Sequence, residues 1–513
     1  MARLKAPALS SRDLEARVLL ALGGDPGAAA PSALRLTLPL DPEAARRAGR
    51  LAADAAVRLH DGASGTSWLG LEPALDRRFD ETGELARFRS VEQALDELRA
   101  GLVELVPADP VDPAGELRRV EALADRPLGF VGFAFDVAPS DDPLWRAWPS
   151  ARLIVPGVLL TDTVEGPRGE PEAALTLTAL GRGRTLAQAA RELAEAGARL
   201  EAGLQGAGRI RGHDADHGAP PTGHEASADH AAEPAEAFEG RVAAAREAVR
   251  LGYLDKVVLA RSDALPAVEP GRLLEALRRQ EPDALCFLVR ESSAGEAFVG
   301  ATPERLVRQR DGRIETHALA GTAPRGGSDA EDDQLGAALL ASAKDRLEQA
   351  VVDDTLRREL GAFNLEPEEV GAPRLRRLAR VQHLETPLVL RFRDRPASIL
   401  EVAARLHPTP ALGGLPRGRA RTWLRDREPL NRGWYGGLVG WVGARPHEGL
   451  LAVAIRSALL EPGRTHAFAG VGVVAGSDPA AEWRESELKL ATVREALRDA
   501  TADPEAGEAA AES

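Results

Sequence analysis

The feature that most constrains this chain is a succession of strand-length apolar runs in its second half. They follow one another through tight turns or long helices, without regular strand–helix–strand alternation. KVVLARS (256–262), ALCFLVRE (284–291), EAFVGATP (296–303), RLVRQRDGRIETHALAG (305–321) and LLAVAIRSALLE (450–461) all read as β. Asp311-Gly312 is the dipeptide of a tight hairpin turn inside the fourth run. A Rossmann or barrel fold needs a crossover helix after each strand, so the pattern excludes both. It predicts large antiparallel sheets flanked by helices.

The first half carries further strands at 129–136, 152–163 and 173–180, the last two joined by a hairpin-type connection, and an amphipathic helix over 185–204. None of these brings a catalytic pair together, so 1–204 reads as a supporting part of the fold. The stretch 205–236 is rich in Gly, Ala, Pro, His and Asp and cannot bury enough apolar surface to offset ordering entropy. Its His213, His217, His224 and His230 read as part of a solvated tether rather than a metal site. A catalytic region is expected over 237–498, followed by an acidic tail over 499–513.

Net charge is −14, and the stretches 205–235 and 501–513 supply half of it. No basic stripe stands out, which argues against a nucleic-acid partner. The single cysteine, Cys286, allows no intrachain disulfide and no thiolate metal site, and its strand context fits a core residue. With no secretory-type leader this predicts a reducing cytoplasm. No apolar run reaches the roughly 20 residues that span a membrane. Arginine greatly outnumbers lysine, a bias read as genomic base composition without chemical content.

Several polar residues stand out against this background. Lys256 opens the apolar KVVLARS run, and spacing leaves two readings open: a solvated strand end, or a partly desolvated amine able to act as a general base. Glu304 follows Pro303 at a strand corner, and a base–acid pair requires both to face one cleft. A helix over 342–360 is expected to bury Leu347, Val351, Leu356 and Leu360, with Glu348 at the edge of that side. A second helix over 481–497 places Glu482, Glu485 and Lys489 on one face. That face is either a solvated ion-pair surface or, with Glu348, a site for a hard cation. Gly470 and Gly472 precede this helix and could present bare backbone N–H groups to an anion. The segment lacks the pattern of a nucleotide-binding loop. Arg456, in a buried-looking strand, calls for a partner such as a ligand carboxylate.

Over 237–498 the chain resembles the chorismate-utilising enzymes, which include anthranilate synthase component I, aminodeoxychorismate synthase, salicylate synthase and isochorismate synthase. The resemblance rests on KVVLAR, FVGATPERL (298–306), ALAGTAPRG (318–326), KDRLEQAVVD (344–353), VQHLETPL (381–388), LHPTPALGGLPR (406–417), RGWYGGLVGW (432–441), AIRSA (454–458) and AGVGVVAGSDPAAEWRESELK (469–489). GFVGFAFD and the segment 145–156 extend it into the first half. Lys256 is similar to the lysine that suits a water nucleophile, and LHPTPALGG resembles isochorismate synthases more than salicylate synthases.

The resemblance implies an α+β fold like anthranilate synthase component I: two large, mainly antiparallel β-sheets packed as a sandwich, helices outside, the site between them. The linker is then a surface loop. It further implies Lys256 as general base and Glu304 as general acid, with Glu348, Glu485 and the nearby Glu482 around Mg²⁺. Arg456 and Lys489 contact the substrate carboxylates, and Gly321, Thr322, His383, Tyr435, Gly470 and Gly472 line the substrate pocket. Gln349 departs from the family, where many members carry His beside the metal-ligand glutamate. The expected substrate is chorismate, without nucleic acid, membrane or an amidotransferase subunit. The expected product is isochorismate, for menaquinone rather than siderophore synthesis.

Overall fold

Among the described residues every strand pairing but one is antiparallel, the exception joining Ala33–Leu40 to Leu102–Pro107. The computed structural model describes residues 11–22, 25, 27–40, 45, 55–108, 117–120, 126–136, 142–163, 172–181, 183–205, 233–292 and 295–502. The four linker histidines and the tail from 503 lie outside them.

Two series of strands diverge from the long strand Ala151–Thr163. One runs through Thr66–Phe79, Val57–Asp61, Leu285–Arg290, Ala297–Thr302, Ser457–Glu461 and Arg464–Val473 to Lys256–Pro266. The other runs through Pro127–Phe133, Leu438–Gly443, Gly449–Val453, Arg305–Arg310 and Arg313–Pro324 to Val381–Phe392. Strands from the first part of the chain thus pair directly with strands from the second.

Period-two alternation sorts the side chains into layers. Leu285, Phe287 and Val289 face an aromatic-rich core with Phe468 of the first series, Trp441 of the second, and Trp145 and Trp434 from connecting segments. Cys286 and Leu288 point the other way, against Leu273 and Leu277 of helix Pro270–Gln280 and Leu490 and Val493 of helix Pro479–Thr501. The second series is covered on its outer face by Phe88, Val352, Leu356, Val402 and Leu424, all carried by helices. This is the expected sandwich with helices outside. Cys286 is fully buried, and burial pushes its thiol up to about 12.

In the second part of the chain two short segments cross directly from one series to the other. Pro303 and Glu304 separate Ala297–Thr302 from Arg305–Arg310, and 454–456 separate Gly449–Val453 from Ser457–Glu461. Hydrogen bonds Val453 N–H to Glu304 O (2.9 Å) and Ala301 N–H to Arg456 O (3.1 Å) stitch the crossings together. The run 450–461, expected as one strand, is therefore two. Arg456 sits at the break with φ of 50°, a left-handed conformation costing a non-glycine residue about 1–2 kcal/mol. The turn at Asp311-Gly312 is as expected, with φ of 49° and 74°.

A buried ion pair anchors the Lys256–Pro266 strand. Arg432 and Glu428 pair at 2.6 Å with both side chains 4% exposed. Arg432 also donates to Leu412 O and Val258 O, while Glu428 accepts from Ala260 N–H. Glu428→Ala strips a buried guanidinium of its counter-charge. Urea denaturation at pH 7 should show a loss of about 3–5 kcal/mol, much of it recovered in Glu428→Gln/Arg432→Met.

Candidate active site

Lys256 is 1% exposed, and its ammonium meets Glu348 Oε1 at 2.8 Å. Strand alternation sends Val257 and Leu259 into the helix-covered core, and Lys256 with Val258 to the opposite face. It is therefore a buried, paired amine and not a solvated strand end.

Glu348 reaches it because helix Ala343–Leu360 is turned differently from the expected face. Leu347 is 59% exposed, whereas Gln349, Val352, Leu356 and Leu360 are buried. The amide of Gln349 causes this orientation: it donates to Ala318 O and to Thr386 Oγ1, both at 2.9 Å, so a polar residue takes a core position. Ser342 caps the helix by accepting from Asp345 N–H.

Helix Pro479–Thr501 brings Glu482, Glu485 and Lys489 to the same region. Lys489 bonds Glu485 at 2.7 Å and donates to Gly470 O at 2.8 Å. Glu482, only 1% exposed, bonds Lys344 at 2.7 Å. The three proposed metal carboxylates thus each hold a lysine. Among the described residues no three carboxylates or histidines converge closely enough to form a metal site. Oε2 of Glu482 is buried, and the Ser477 side chain is the other hydrogen-bonding group that acts on this carboxyl. Burial and the Glu485 charge push the Glu482 carboxyl up, while burial of Glu485 is outweighed by Lys489 together with Lys344, which hold that carboxyl down. Burial opposes the Lys344 charge, but Glu482, Glu485 and Glu348 together outweigh it and raise its pKa.

Lys256, Lys344 and Lys489 are three of only four lysines among 65 basic residues, the fourth being Lys5. The arginine bias is therefore not empty of chemistry, because its exceptions mark the site. This signal was readable in the sequence and would have singled out Lys344.

Glu304 lies at the first crossing, 8% exposed, and burial pushes its carboxyl up to about 7 against the pull of Lys256 and Lys489. Arg456 lies at the second crossing, 6% exposed, with Nη1 donating to Thr492 Oγ1 at 3.3 Å. Gly321 forms a bulge opposite His383–Leu384 with φ of 69°, a conformation that favours glycine. Its carbonyl receives His383 Nδ1–H at 3.0 Å, which fixes the tautomer, since a carbonyl only accepts. Burial and Arg456 lower the His383 pKa to about 3, so its imidazole is neutral. Tyr435 stacks on Phe468 with ring centroids 5.3 Å apart, and burial pushes its phenol up.

Gly470 and Gly472 contribute space. A Cβ on Gly472 would lie 2.4 Å from Glu348 Oε1 and 2.9 Å from Lys256 Cε, and one on Gly470 would lie 2.9 Å from the Tyr435 hydroxyl.

One cleft between the layers is lined by Glu304, Gly321, Thr322, Glu348, His383, Tyr435, Arg456, Gly470, Gly472, Glu485 and Lys489. Lys256 adjoins it through Glu348, and Glu482 stands behind it with Lys344. Pro303, Leu412, Arg432 and Ile455 also line the cleft and were not singled out in the sequence. Arg432 alone offered a signal, the i, i+4 spacing to Glu428. A second depression, bordered by Arg358, Pro408 and Arg417, holds none of the candidate residues.

A sandwich with buried acid, base and guanidinium groups around one cleft defines an enzyme site for a small anionic molecule. Residues 110–498 match the model of the chorismate binding enzymes, and the chain belongs to that family. It is 48% identical over 281 residues to the salicylate biosynthesis isochorismate synthase of Pseudomonas aeruginosa, a stretch covering 54% of this chain and 58% of that protein. It is 32% identical over 392 residues to isochorismate synthase MenF of Bacillus subtilis, covering 74% and 77%. Among solved structures, the menaquinone-specific isochorismate synthase MenF of Escherichia coli matches with a TM-score of 0.68 at 23% identity, over 95% of this chain and all of that one. Anthranilate synthase component I of Streptococcus pneumoniae matches at 0.58 and 18%, over 83% and 92%. Both share the fold.

The Glu304 carboxyl yields a stability prediction. Its folded pKa lies above the unfolded value, so between about pH 4.5 and 7 the folded chain keeps a proton that the unfolded chain has lost. Wild-type stability should fall as pH rises through that window. Glu304→Gln should gain on wild type by about 2–3 kcal/mol between pH 4.5 and 8. Parallel stability–pH curves from urea melts would rule out the raised carboxyl.

Proposed function

We propose that this chain is an isochorismate synthase, interconverting chorismate and isochorismate. The observation that carries this reading is a carboxyl held near neutrality, Glu304, in the same cleft as the Lys256–Glu348 pair. The two curated relatives above carry that activity in their names.

The reaction adds water at carbon 2 and expels the hydroxyl of carbon 4. A carbon–oxygen bond forms at carbon 2, the ring double bonds shift, and the bond at carbon 4 breaks. Lys256 in its unprotonated form takes the proton from the entering water, and Glu304 gives one to the departing hydroxyl, which leaves as water. Chorismate and isochorismate are isomers that differ little in energy, so the reaction runs in both directions. Arg456 and Lys489 hold the substrate carboxylates by charge-assisted hydrogen bonds. His383, fixed as the Nδ1–H tautomer, can offer Nε2 as an acceptor, and Tyr435 offers a hydroxyl at the pocket wall. Thr322, Gly321, Gly470 and Gly472 shape the remaining wall.

Glu348, Glu482 and Glu485 are the residues that would hold Mg²⁺, through one or two carboxylates at a time with waters and a substrate carboxylate completing its shell rather than as a three-carboxylate cage. The mutual repulsion of Glu482 and Glu485 fits a divalent cation. Bound there, the ion supplies charge that neutralises and orients a substrate carboxylate.

Water as nucleophile needs no amidotransferase subunit. No helix among the described residues is long and apolar enough to cross a membrane. A reducing cytoplasm suits the lone Cys286 thiol. Supply of menaquinone synthesis is favoured by the extent of the two MenF matches. Supply of salicylate synthesis is the second reading, favoured by the 48% identity to the Pseudomonas enzyme.

Purified protein with chorismate and Mg²⁺ should give isochorismate by chromatography, and isochorismate should return chorismate. Anthranilate in the presence of ammonia, or mainly salicylate and pyruvate, would exclude the assignment. Lys256→Ala and Glu304→Gln should each lose about 10²- to 10⁴-fold in turnover while remaining folded. Near-normal turnover in Lys256→Ala would reduce that lysine to an ion-pair partner. Chelation should abolish turnover, and Glu348→Gln or Glu485→Gln should raise the Mg²⁺ concentration needed at least tenfold. An unchanged requirement in both would put the metal elsewhere.

A further inference from the structure

Three lysines share the acidic end of the cleft, and they differ in how they are held. Lys256 is 1% exposed on a strand paired on both sides. Lys489 is 16% exposed and tied to Gly470 O as well as to Glu485. Lys344 is 32% exposed and rises from the first turn of its helix, next to the Ser342 cap that fixes the backbone. Its ammonium bonds Glu482 Oε1 at 2.7 Å and acts electrostatically on Glu485 and Glu348 together. It is the most exposed of the three cations that touch a proposed ligand.

We infer that the Lys344 ammonium is the internal occupant of the cation position, neutralising Glu482 while the metal is absent and swinging to solvent when the metal enters. The inference rests on the Mg²⁺ reading above. Lys344 and the Ser477 side chain are the hydrogen-bonding groups that act on this carboxyl, and only Lys344 brings a positive charge. A carboxylate only 1% exposed is costly without a cation, and Lys344 is the cation that stands beside it. The chemistry of the side chain matters too. A guanidinium grips a carboxylate with a planar fork, whereas an ammonium is a compact point charge on a flexible stem. A chain that uses arginine at nearly every other basic position keeps lysine here. Lys344 thereby sets the cation concentration at which the site loads, because Mg²⁺ must displace it.

The test uses the full chain and no substrate. Amine acetylation followed by mass spectrometry reads the reactivity of Lys344, and calorimetric titration with Mg²⁺ reads affinity. Saturating Mg²⁺ should raise the Lys344 modification rate at least fivefold. Lys344→Met should bind Mg²⁺ at least fivefold more tightly than wild type, and Lys344→Arg should not. If calorimetry shows Mg²⁺ binding while Lys344 reactivity changes less than twofold, the exchange is wrong and the metal reading stands. Weaker Mg²⁺ binding by Lys344→Met would also overturn the exchange, by making the lysine a support of the site. No binding heat in either wild type or Lys344→Met would overturn both. The footprint on wild type decides the matter should Lys344→Met fail to fold.

Discussion

Carboxylates held between apolar layers are costly unless cations stand beside them, at several kcal/mol per unpaired charge. This chain brings Glu304, Glu348, Glu482 and Glu485 to one cleft and its rear wall and supplies Lys256, Lys344 and Lys489 from three different elements. Each of three glutamates takes one lysine at 2.7–2.8 Å. Glu304 is the remaining carboxyl, and among the described residues no lysine pairs with it directly. Burial then dominates, and its pKa rises to about 7. The distribution of lysines therefore separates one acid without a lysine partner from three that are paired, which is the division of labour the proposed acid–base reaction needs.

The backbone delivers these groups through its irregularities. Glu304 and Arg456 occupy two points where the chain passes directly from one series of strands to the other, places where no side-chain alternation decides what faces inward. Arg456 accepts a left-handed conformation there, and Gly321 breaks the register opposite His383. The surrounding sheets are paired over long stretches on both sides, so the local strain is outweighed by ladders that cannot shift without losing many hydrogen bonds.

Most strands were legible because apolar runs, glycines and turn dipeptides mark them directly. The break inside 450–461 was not, since Ala454, Ile455 and Arg456 look like three more residues of a strand. Only the pairing of its two ends with different partners reveals the crossing. The face of the 342–360 helix was misjudged for a related reason. Apolar periodicity counts Leu347 inward and Gln349 outward, but the Gln349 amide finds Ala318 O and Thr386 Oγ1 inside. For Lys256 the deciding neighbour is Glu348, far along the chain, so no local pattern could choose between strand-end charge and buried base. The motif resemblance named the site residues, and the cleft gathers eleven of them on its walls.

Composition taught the reverse lesson. A strong preference for arginine looks like noise when taken as an average, because most surface positions accept either cation. Its informative part is the exceptions, since a position that resists the bias must need something arginine lacks. Lys256 has to fit beside Gly472 with Cε within 2.9 Å of where a Cβ would sit, space that a planar guanidinium would not share. Lys489 serves a carboxylate and a carbonyl at once from one nitrogen. Lys344 meets one oxygen of its carboxylate, where a two-pronged guanidinium would engage both oxygens and hold the position closed. In each case the requirement is a single, compact charge, and a compact charge leaves the most room for the dianionic substrate and divalent cation proposed to enter.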